Sequence, residues 1–257
     1  MKLISSNSLF IGKVANYVAS VDSTNIFANN LLSKSTPIDG TVIYTDHQYA
    51  GRGQIGSKWE SATGKNIIVS VILYPKFLAL QSQFKLNQVA ALAIYDLLSA
   101  YVFPLDQLSV KWPNDIYIKD KKIGGILIEN KLKGTLLANT IIGVGLNINQ
   151  EVFPTNLPNP TSLLLETGQS QDIYELIGHF CECLEHRYLQ LKAEEYQQLD
   201  QDYLQVLYGY EKWRNYKIES TQQIIRGKIT GISPEGKLQI QTGQNKLEFY
   251  FKEVSFQ

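Results

Sequence analysis

Apolar residues recur along this chain with two distinct periods. In residues 17–21, 41–45 and 66–73 they form short β-branched and aromatic runs, which predict strands. In 84–98, Leu86, Val89, Ala90, Ala93, Ile94 and Leu97 fall at helical spacing with one buried face. Asp22-Ser23-Thr24 ends the first strand with polar residues able to cap a helix over 25–33. Further strands are predicted at 109–112, 115–118 and 122–130, and Gly134 turns the chain into a long apolar strand at 136–146. Closely spaced strands with the helices kept apart predict an α+β fold.

The pattern stops twice. From Asp46 to Lys65 the chain is polar and glycine-rich, a loop of about twenty residues, and loops that long in compact domains are usually functional or disordered. Residues 147–160 hold three prolines and four asparagines and predict a second loop, followed by one long helix over 171–208. After Trp213 short strands alternate with turn signals at Arg226-Gly227, Ser233-Pro234-Glu235-Gly236 and Thr242-Gly243, which reads as a small barrel. The expected organisation is a large domain over 1–210 and a small one over 211–257.

Composition narrows the function classes. The 257 residues, 44% of them hydrophobic, suffice for a sizeable core. Lysine plus arginine equals aspartate plus glutamate at 24 each, so no bulk basic field collects nucleic acid, and anion binding must be local. No segment approaches the roughly 18 apolar residues of a membrane span, and residues 1–19 lack the features of a signal peptide, so a cytoplasmic location is expected. Cys181 and Cys183, two apart in helical sequence, point in different directions and make a poor disulfide, which suits a reducing compartment. His179, Cys183 and His186 share a helix face, yet zinc needs a complete ligand set, so packing is the expected role. His47 is expected at most in a pocket wall.

The candidate chemistry lies in three segments. Lys111-Trp112-Pro113-Asn114-Asp115 and the run from Lys122 to Glu129 gather two lysines, an asparagine, two carboxylates and a Gly124-Gly125 approach point. Proline cannot donate to a strand ladder, so Pro113 places Asn114 and Asp115 at a bend where polar side chains can converge on a ligand. In the first loop Arg52 sits among Gly51, Gly53 and Gly56, whose backbone N–H groups can approach a phosphate. These glycines lead into Ser57-Lys58-Trp59 and a strand rather than a helix, so a dinucleotide fold is not indicated. A carboxylate bound beside a phosphate, in an enzyme that activates an acid, is the chemistry these residues support.

Four motifs together resemble those of biotin–protein ligases: Asp22-Ser23-Thr24-Asn25, the loop from Gly51 to Trp59, Lys111 to Asp115 with Lys122 to Leu127, and Gly143-Val144-Gly145-Leu146-Asn147-Ile148-Asn149. Phe251-Lys252-Glu253-Val254 is similar to the family's last strand. The resemblance implies a class II synthetase-like mixed sheet with helices plus an SH3-like C-terminal β-barrel. It implies that biotin attacks the α-phosphate of ATP to give biotinyl-5'-AMP, with Mg²⁺ bridging phosphate oxygens, and that a lysine of a biotin carboxyl carrier domain, from acetyl-CoA carboxylase or a relative, then takes the biotin.

Carried over by residue, Ser23, Thr24, Asn25 and Gln48 match contacts to the biotin head. Arg52, Gly53 and Gln54 match the covering loop, Lys122 the carboxylate contact, and Gly125 and Ile126 the tail channel. Gly51, Arg52, Gly53, Trp59, Asn114, Lys122 and Asn147 match the nucleotide side, with Phe153 a candidate to pack on adenine. Arg52, Lys111, Asp115 and Lys122 are the expected catalytic set. Gln54, Ile55 and Ser57 stand where the family often has arginine, which bears on how tightly the adenylate is held. Some members carry an N-terminal DNA-binding domain, whereas about twenty residues precede Asp22 here, so a form without it, and no DNA binding, is expected. The family includes monomers and homodimers. Lipoate–protein ligase, which shares the fold and adenylate logic, and a non-catalytic ligand-binding protein with an SH3-like module remain the alternatives.

Overall fold

The computed structural model describes residues 4–54 and 56–257; Ile55 of the glycine-rich loop lies outside them. In chain order the elements are β1 (Ala15–Val21), α1 (Thr24–Lys34), β2 (Thr41–Gln48), β3 (Asn66–Leu73), α2 (Phe84–Ser99), β4 (Leu108–Lys111), β5 (Asp115–Ile118), β6 (Lys121–Lys133) and β7 (Leu136–Asn147). They continue with α3 (Leu163–Thr167), α4 (Ile173–Lys192), α5 (Tyr196–Gln205) and β8 (Trp213–Ile218), then β9 (Ile224–Ile232), β10 (Leu238–Thr242), β11 (Asn245–Phe249) and β12 (Val254–Phe256).

The first seven strands form one mixed sheet in the order β1-β2-β3-β7-β6-β5-β4. Only β1 and β2 run parallel; the remaining pairs are antiparallel. Strand β3 is buried along its whole length because both faces are covered. Its odd-numbered residues Ile67, Val69, Val71 and Leu73 join the main core with Ile142, Val144 and Leu146 of β7. Helices α2, α4 and α5 cover that face. On the opposite face α1 packs on β2, β3 and β7 through a smaller cluster of Ala28, Ile43, Ile72 and Ile141. The two-residue period of a strand thus separates a core face from a second face that α1 only partly covers.

Three expectations change in detail. Strand β2 continues through His47 and Gln48, because β1 pairs with it there, so the first loop begins at Tyr49. The single helix expected over 171–208 is two, α4 and α5, broken where Glu194 takes a left-handed φ of 61°. The reversal lets α5 fold back onto α2, where Asp200 accepts from Gln88 at 2.8 Å. The C-terminal strands form an antiparallel sheet ordered β11-β10-β9-β8-β12 and not a closed barrel. Its edge strands β11 and β12 lie at opposite ends, and β12 is only three residues long.

Two contacts fasten the pieces. Trp112 Nε1 donates to Gly236 O at 2.9 Å and its ring meets Phe251, which ties the end of β4 to the C-terminal sheet. Glu185 of α4 is buried and accepts backbone N–H groups of Leu9, Phe10 and Ile11, the latter two at 2.7 and 2.9 Å, fixing the segment that leads into β1. No helix is long and apolar enough to cross a membrane among the described residues. Cys181 and Cys183 are free thiols, pushed up to about 12 and about 11 by burial.

Removing the Glu185 carboxylate leaves three N–H donors without their acceptor. Glu185→Ala is expected to destabilise the protein by about 3 kcal/mol in urea unfolding, with Glu185→Gln intermediate; an unchanged midpoint for both would show that the N-terminal segment is held by other means.

Candidate active site

The floor of the site is built from small residues on the partly covered face of the sheet. Strand register places Ile68, Gly145, Gly125 and Asp115 in one row across β3, β7, β6 and β5. The adjacent row is Ser70, Gly143 and Leu127. The glycines leave a trough that side chains from outside the sheet fill. A methyl group at Gly145 would lie 2.4 Å from the Trp59 ring, and one at Gly143 would lie 2.2 Å from Asn25 Oδ1. Glycine inside a strand marks such close approach.

The N-terminus of α1 supplies the first wall. Ser23 takes the N-cap position, but its hydroxyl makes no capping bond, contrary to the expected cap, and the side chain lines the cavity instead. Thr24 N donates to Gln48 Oε1 at 2.9 Å. The Ser70 hydroxyl lies 2.7 Å from Thr24 Oγ1 and 2.6 Å from Asn25 Oδ1. Asn25 Nδ2 donates to Glu129 Oε2 at 2.8 Å.

The second wall is the glycine-rich loop, folded as a tight hairpin. Gly53 N donates to Ser57 O at 2.8 Å, and Trp59 N to Gly51 O at 3.0 Å. Arg52 Nη2 pairs with Glu129 Oε1 at 2.6 Å, so the loop is anchored to β6. Trp59 lies over the Gly145 row with its Nε1–H buried and unpartnered.

The third wall carries the second cation. Lys122 Nζ pairs with Asp115 Oδ1 at 2.6 Å and lies 6.0 Å from the Trp59 ring centroid. Its backbone is held on both sides, donating to Asn159 O at 2.8 Å and accepting from Thr161 N at 2.9 Å. Asn147 Nδ2 donates to Thr161 O at 3.0 Å, which secures that strap, while Asn147 Oδ1 is buried without a partner. Asn114 clasps β6, with its side-chain amide donating to Ile126 O and its carbonyl accepting from Ile126 N at 2.9 Å.

Most of the residues expected from sequence therefore meet around one cavity of about 170 Å³: Ser23, Thr24, Asn25, Gln48, Arg52, Gly53, Gln54, Trp59, Asn114, Asp115, Lys122, Gly125 and Ile126. Gly51 sits behind the hairpin, on a neighbouring groove with Arg52 and Glu129. Asn147 supports the wall from below. Lys111 departs from expectation: it lines an adjoining groove of about 540 Å³ with Phe251 and Phe256. There its ammonium is enclosed by the rings of Tyr117, Phe256 and Tyr208 at 4.8, 5.0 and 5.8 Å. Burial moves the Lys111 ammonium below the usual lysine range, against the opposing pull of Asp115. The same enclosure pushes the Tyr117 phenol up to about 12.

Asp115 and Phe251 line both spaces. Ligand sites for drug-sized molecules span roughly 300–1,000 Å³, so the enclosed cavity needs the adjoining groove to reach that range. Phe153 lines neither space, and His47 pairs with Ser20 at 3.0 Å outside both. Sequence reasoning gave no site role to Ser70 or Phe251, and counted Glu129 among the candidate carboxylates without giving it a partner. Ser70 is a lone hydroxyl in an apolar strand, a signal that could have marked it. Phe251 arrives from the C-terminal sheet, and nothing local to it announces the site.

A family profile for the biotin/lipoate A/B protein ligase family matches residues 17–147, and one for the biotin protein ligase C-terminal domain matches residues 217–256. The chain belongs to the biotin/lipoate A/B protein ligase family. Within it, the chain is 32% identical to the bifunctional ligase/repressor BirA of Bacillus spizizenii over 237 residues, covering 91% of this chain and 71% of that one. It is 34% identical to the biotin–[acetyl-CoA-carboxylase] ligase of Paracoccus denitrificans over 166 residues, 62% of this chain and 67% of that one. Among solved structures, the biotin protein ligase of Aquifex aeolicus in complex with biotin and ATP superposes with a TM-score of 0.77 at 26% identity, covering 95% of this chain and 99% of that one.

In this family member the floor glycines are the structural condition for the walls. Gly143→Ala drives a methyl into the Asn25 amide, and overpacking of that kind costs about 1–3 kcal/mol. Urea unfolding should show that loss; an unchanged midpoint would mean that Asn25 does not seat against β7.

Proposed function

We propose that this chain is an ATP-dependent ligase that activates biotin as biotinyl-5'-AMP and transfers it to a lysine of a biotin carboxyl carrier domain of a carboxylase. The observation that carries the reading is the convergence of two cations, Arg52 and Lys122, on one glycine-floored cavity. A carboxylate and a polyphosphate repel each other, and bringing them together requires fixed positive charge between them. Family membership and the likeness to a relative solved with biotin and ATP support the choice of acid and nucleotide.

In this reading Ser23, Thr24 and Gln48 receive the ureido head, while Gly125 and Ile126 flank the aliphatic tail. Lys122 meets the biotin carboxylate, leaving Asp115. Arg52, Gly53 and Gln54 close over the adduct. Trp59 and Asn147, each with a buried unpartnered polar atom, are assigned to the nucleotide side in this reading. A carboxylate oxygen attacks the α-phosphorus and pyrophosphate leaves. The ε-amine of the carrier lysine then attacks the acyl carbon and AMP leaves. Asp115, shared by the cavity and the groove of Lys111, is placed to accept the proton of the entering amine.

Among the described residues no group of three His, Cys, Asp or Glu side chains could hold a metal ion. Mg²⁺ in this reading would come with the phosphates of ATP and would supply charge neutralisation there. A cytoplasmic location belongs to this reading and is in keeping with the free Cys181 and Cys183.

The lipoate alternative is disfavoured by the polar head pocket, since a dithiolane has no donor for Gln48 or Thr24. The test is pyrophosphate release from MgATP with biotin or lipoate, with and without a biotin carboxyl carrier domain. Biotin-dependent release with label on the carrier is expected, and Lys122→Ala should lower the rate about 10²- to 10³-fold. Release with lipoate alone would change the substrate; release with neither would overturn the reading.

A further inference from the structure

We propose that Ser70, with Glu129 behind it, fixes the direction of the hydrogen bonds in the head pocket so that Thr24 can only accept from the ligand. This rests on the biotin reading above. Ser70 and Glu129 are positioning residues: neither needs to touch the substrate.

Four side chains, Glu129, Asn25, Ser70 and Thr24, form a chain along which each proton has one place to go. Glu129 is paired with Arg52 at 2.6 Å and is acceptor-only in its ionised form. Asn25 therefore turns its nitrogen to Glu129 Oε2 at 2.8 Å, where Leu127 O lies at 3.3 Å as a second acceptor. That leaves Asn25 Oδ1 facing Ser70 Oγ at 2.6 Å, and an amide oxygen only accepts. Ser70 is 0% exposed and has one hydroxyl proton, which goes to Asn25. The 2.7 Å contact between Ser70 and Thr24 must then run the other way, with Thr24 donating. Thr24 has spent its proton, so its 3.4 Å approach to Gln48 Oε1 is no bond; that oxygen serves Thr24 N–H at 2.9 Å.

Thr24 consequently offers only lone pairs to a ligand in the cavity. A ring with N–H donors satisfies them, whereas one with sulfur or oxygen in that place leaves buried acceptors facing acceptors. Sites that hydrogen-bond a substrate N–H reject analogues lacking it far more strongly than apolar pockets reject a missing methylene. The relay also joins recognition to closure, because its far end is the carboxylate that holds the loop arginine.

The experiment measures biotin-dependent pyrophosphate release in the wild type, Ser70→Ala and Glu129→Gln. Substrates are biotin and the two cyclic-carbamate analogues in which one ring N–H is replaced by oxygen. In Ser70→Ala the Thr24 proton is released and can donate to a ligand oxygen. The KM for biotin should rise about 10- to 100-fold with the KM for ATP unchanged. Discrimination between biotin and one carbamate isomer should narrow. Glu129→Gln, at a partly exposed position that opens no hole, should narrow it in the same sense but less. Unchanged discrimination in both variants, or a uniform loss for all three substrates, would overturn the relay and leave Ser70 as packing. No biotin-dependent release by the wild type would instead overturn the functional reading, and the relay with it.

Discussion

The site depends on two ion pairs formed before any ligand arrives. Lys122 with Asp115 and Arg52 with Glu129 are each closed at 2.6 Å, so the cavity holds two positive charges without a large uncompensated field. All four side chains keep partial exposure, and pairs of that kind contribute about 0–1 kcal/mol each. Their weakness matters: an incoming carboxylate or phosphate can take over the cation at small cost. Asp115, once displaced, becomes available toward an entering amine. Glu129 keeps the Asn25 and Asn29 amides on its other oxygen whether or not Arg52 stays, so that carboxylate is not left bare.

The pairs meet because of the sheet. Strand alternation sends β-branched residues to the core face and leaves Ser70, Gly125, Gly143 and Gly145 on the other. Helix α1 covers only part of this second face, and the glycine-rich hairpin covers the rest. The C-terminal sheet, clasped through Trp112 and Gly236, completes the enclosure with Phe251 and creates the adjoining groove around Lys111. The α1 wall, the two cations and the Lys111 groove thereby occupy neighbouring parts of one face.

Much of this was legible in the sequence. The apolar periods located the strands and α2, since burial of one face leaves a period that no partner can disguise. The motifs around Arg52, Asn114 and Lys122 located the cavity because glycine beside charge has few structural uses. Four features escaped for physical reasons. The break between α4 and α5 depends on Glu194 adopting a left-handed conformation that nothing in its type demands. The open C-terminal sheet depends on which edges pair, and alternation alone does not encode that. Lys111 reads as one more cation beside Asp115, yet strand geometry turns it into an aromatic enclosure formed by residues as distant as Phe256. Ser70 was hidden for the opposite reason, its type being common and its meaning set by Thr24, Asn25 and Glu129.

The measurement that bears most directly on partner exchange is the equilibrium binding of biotin to Asp115→Asn beside Lys122→Ala, by titration calorimetry. If Asp115 competes with the ligand for Lys122, the asparagine variant binds biotin as tightly as the wild type or more tightly, while Lys122→Ala binds about 10- to 100-fold more weakly. Equal weakening in both variants would contradict the account, because Asp115 would then be holding Lys122 in place for the ligand instead of yielding it.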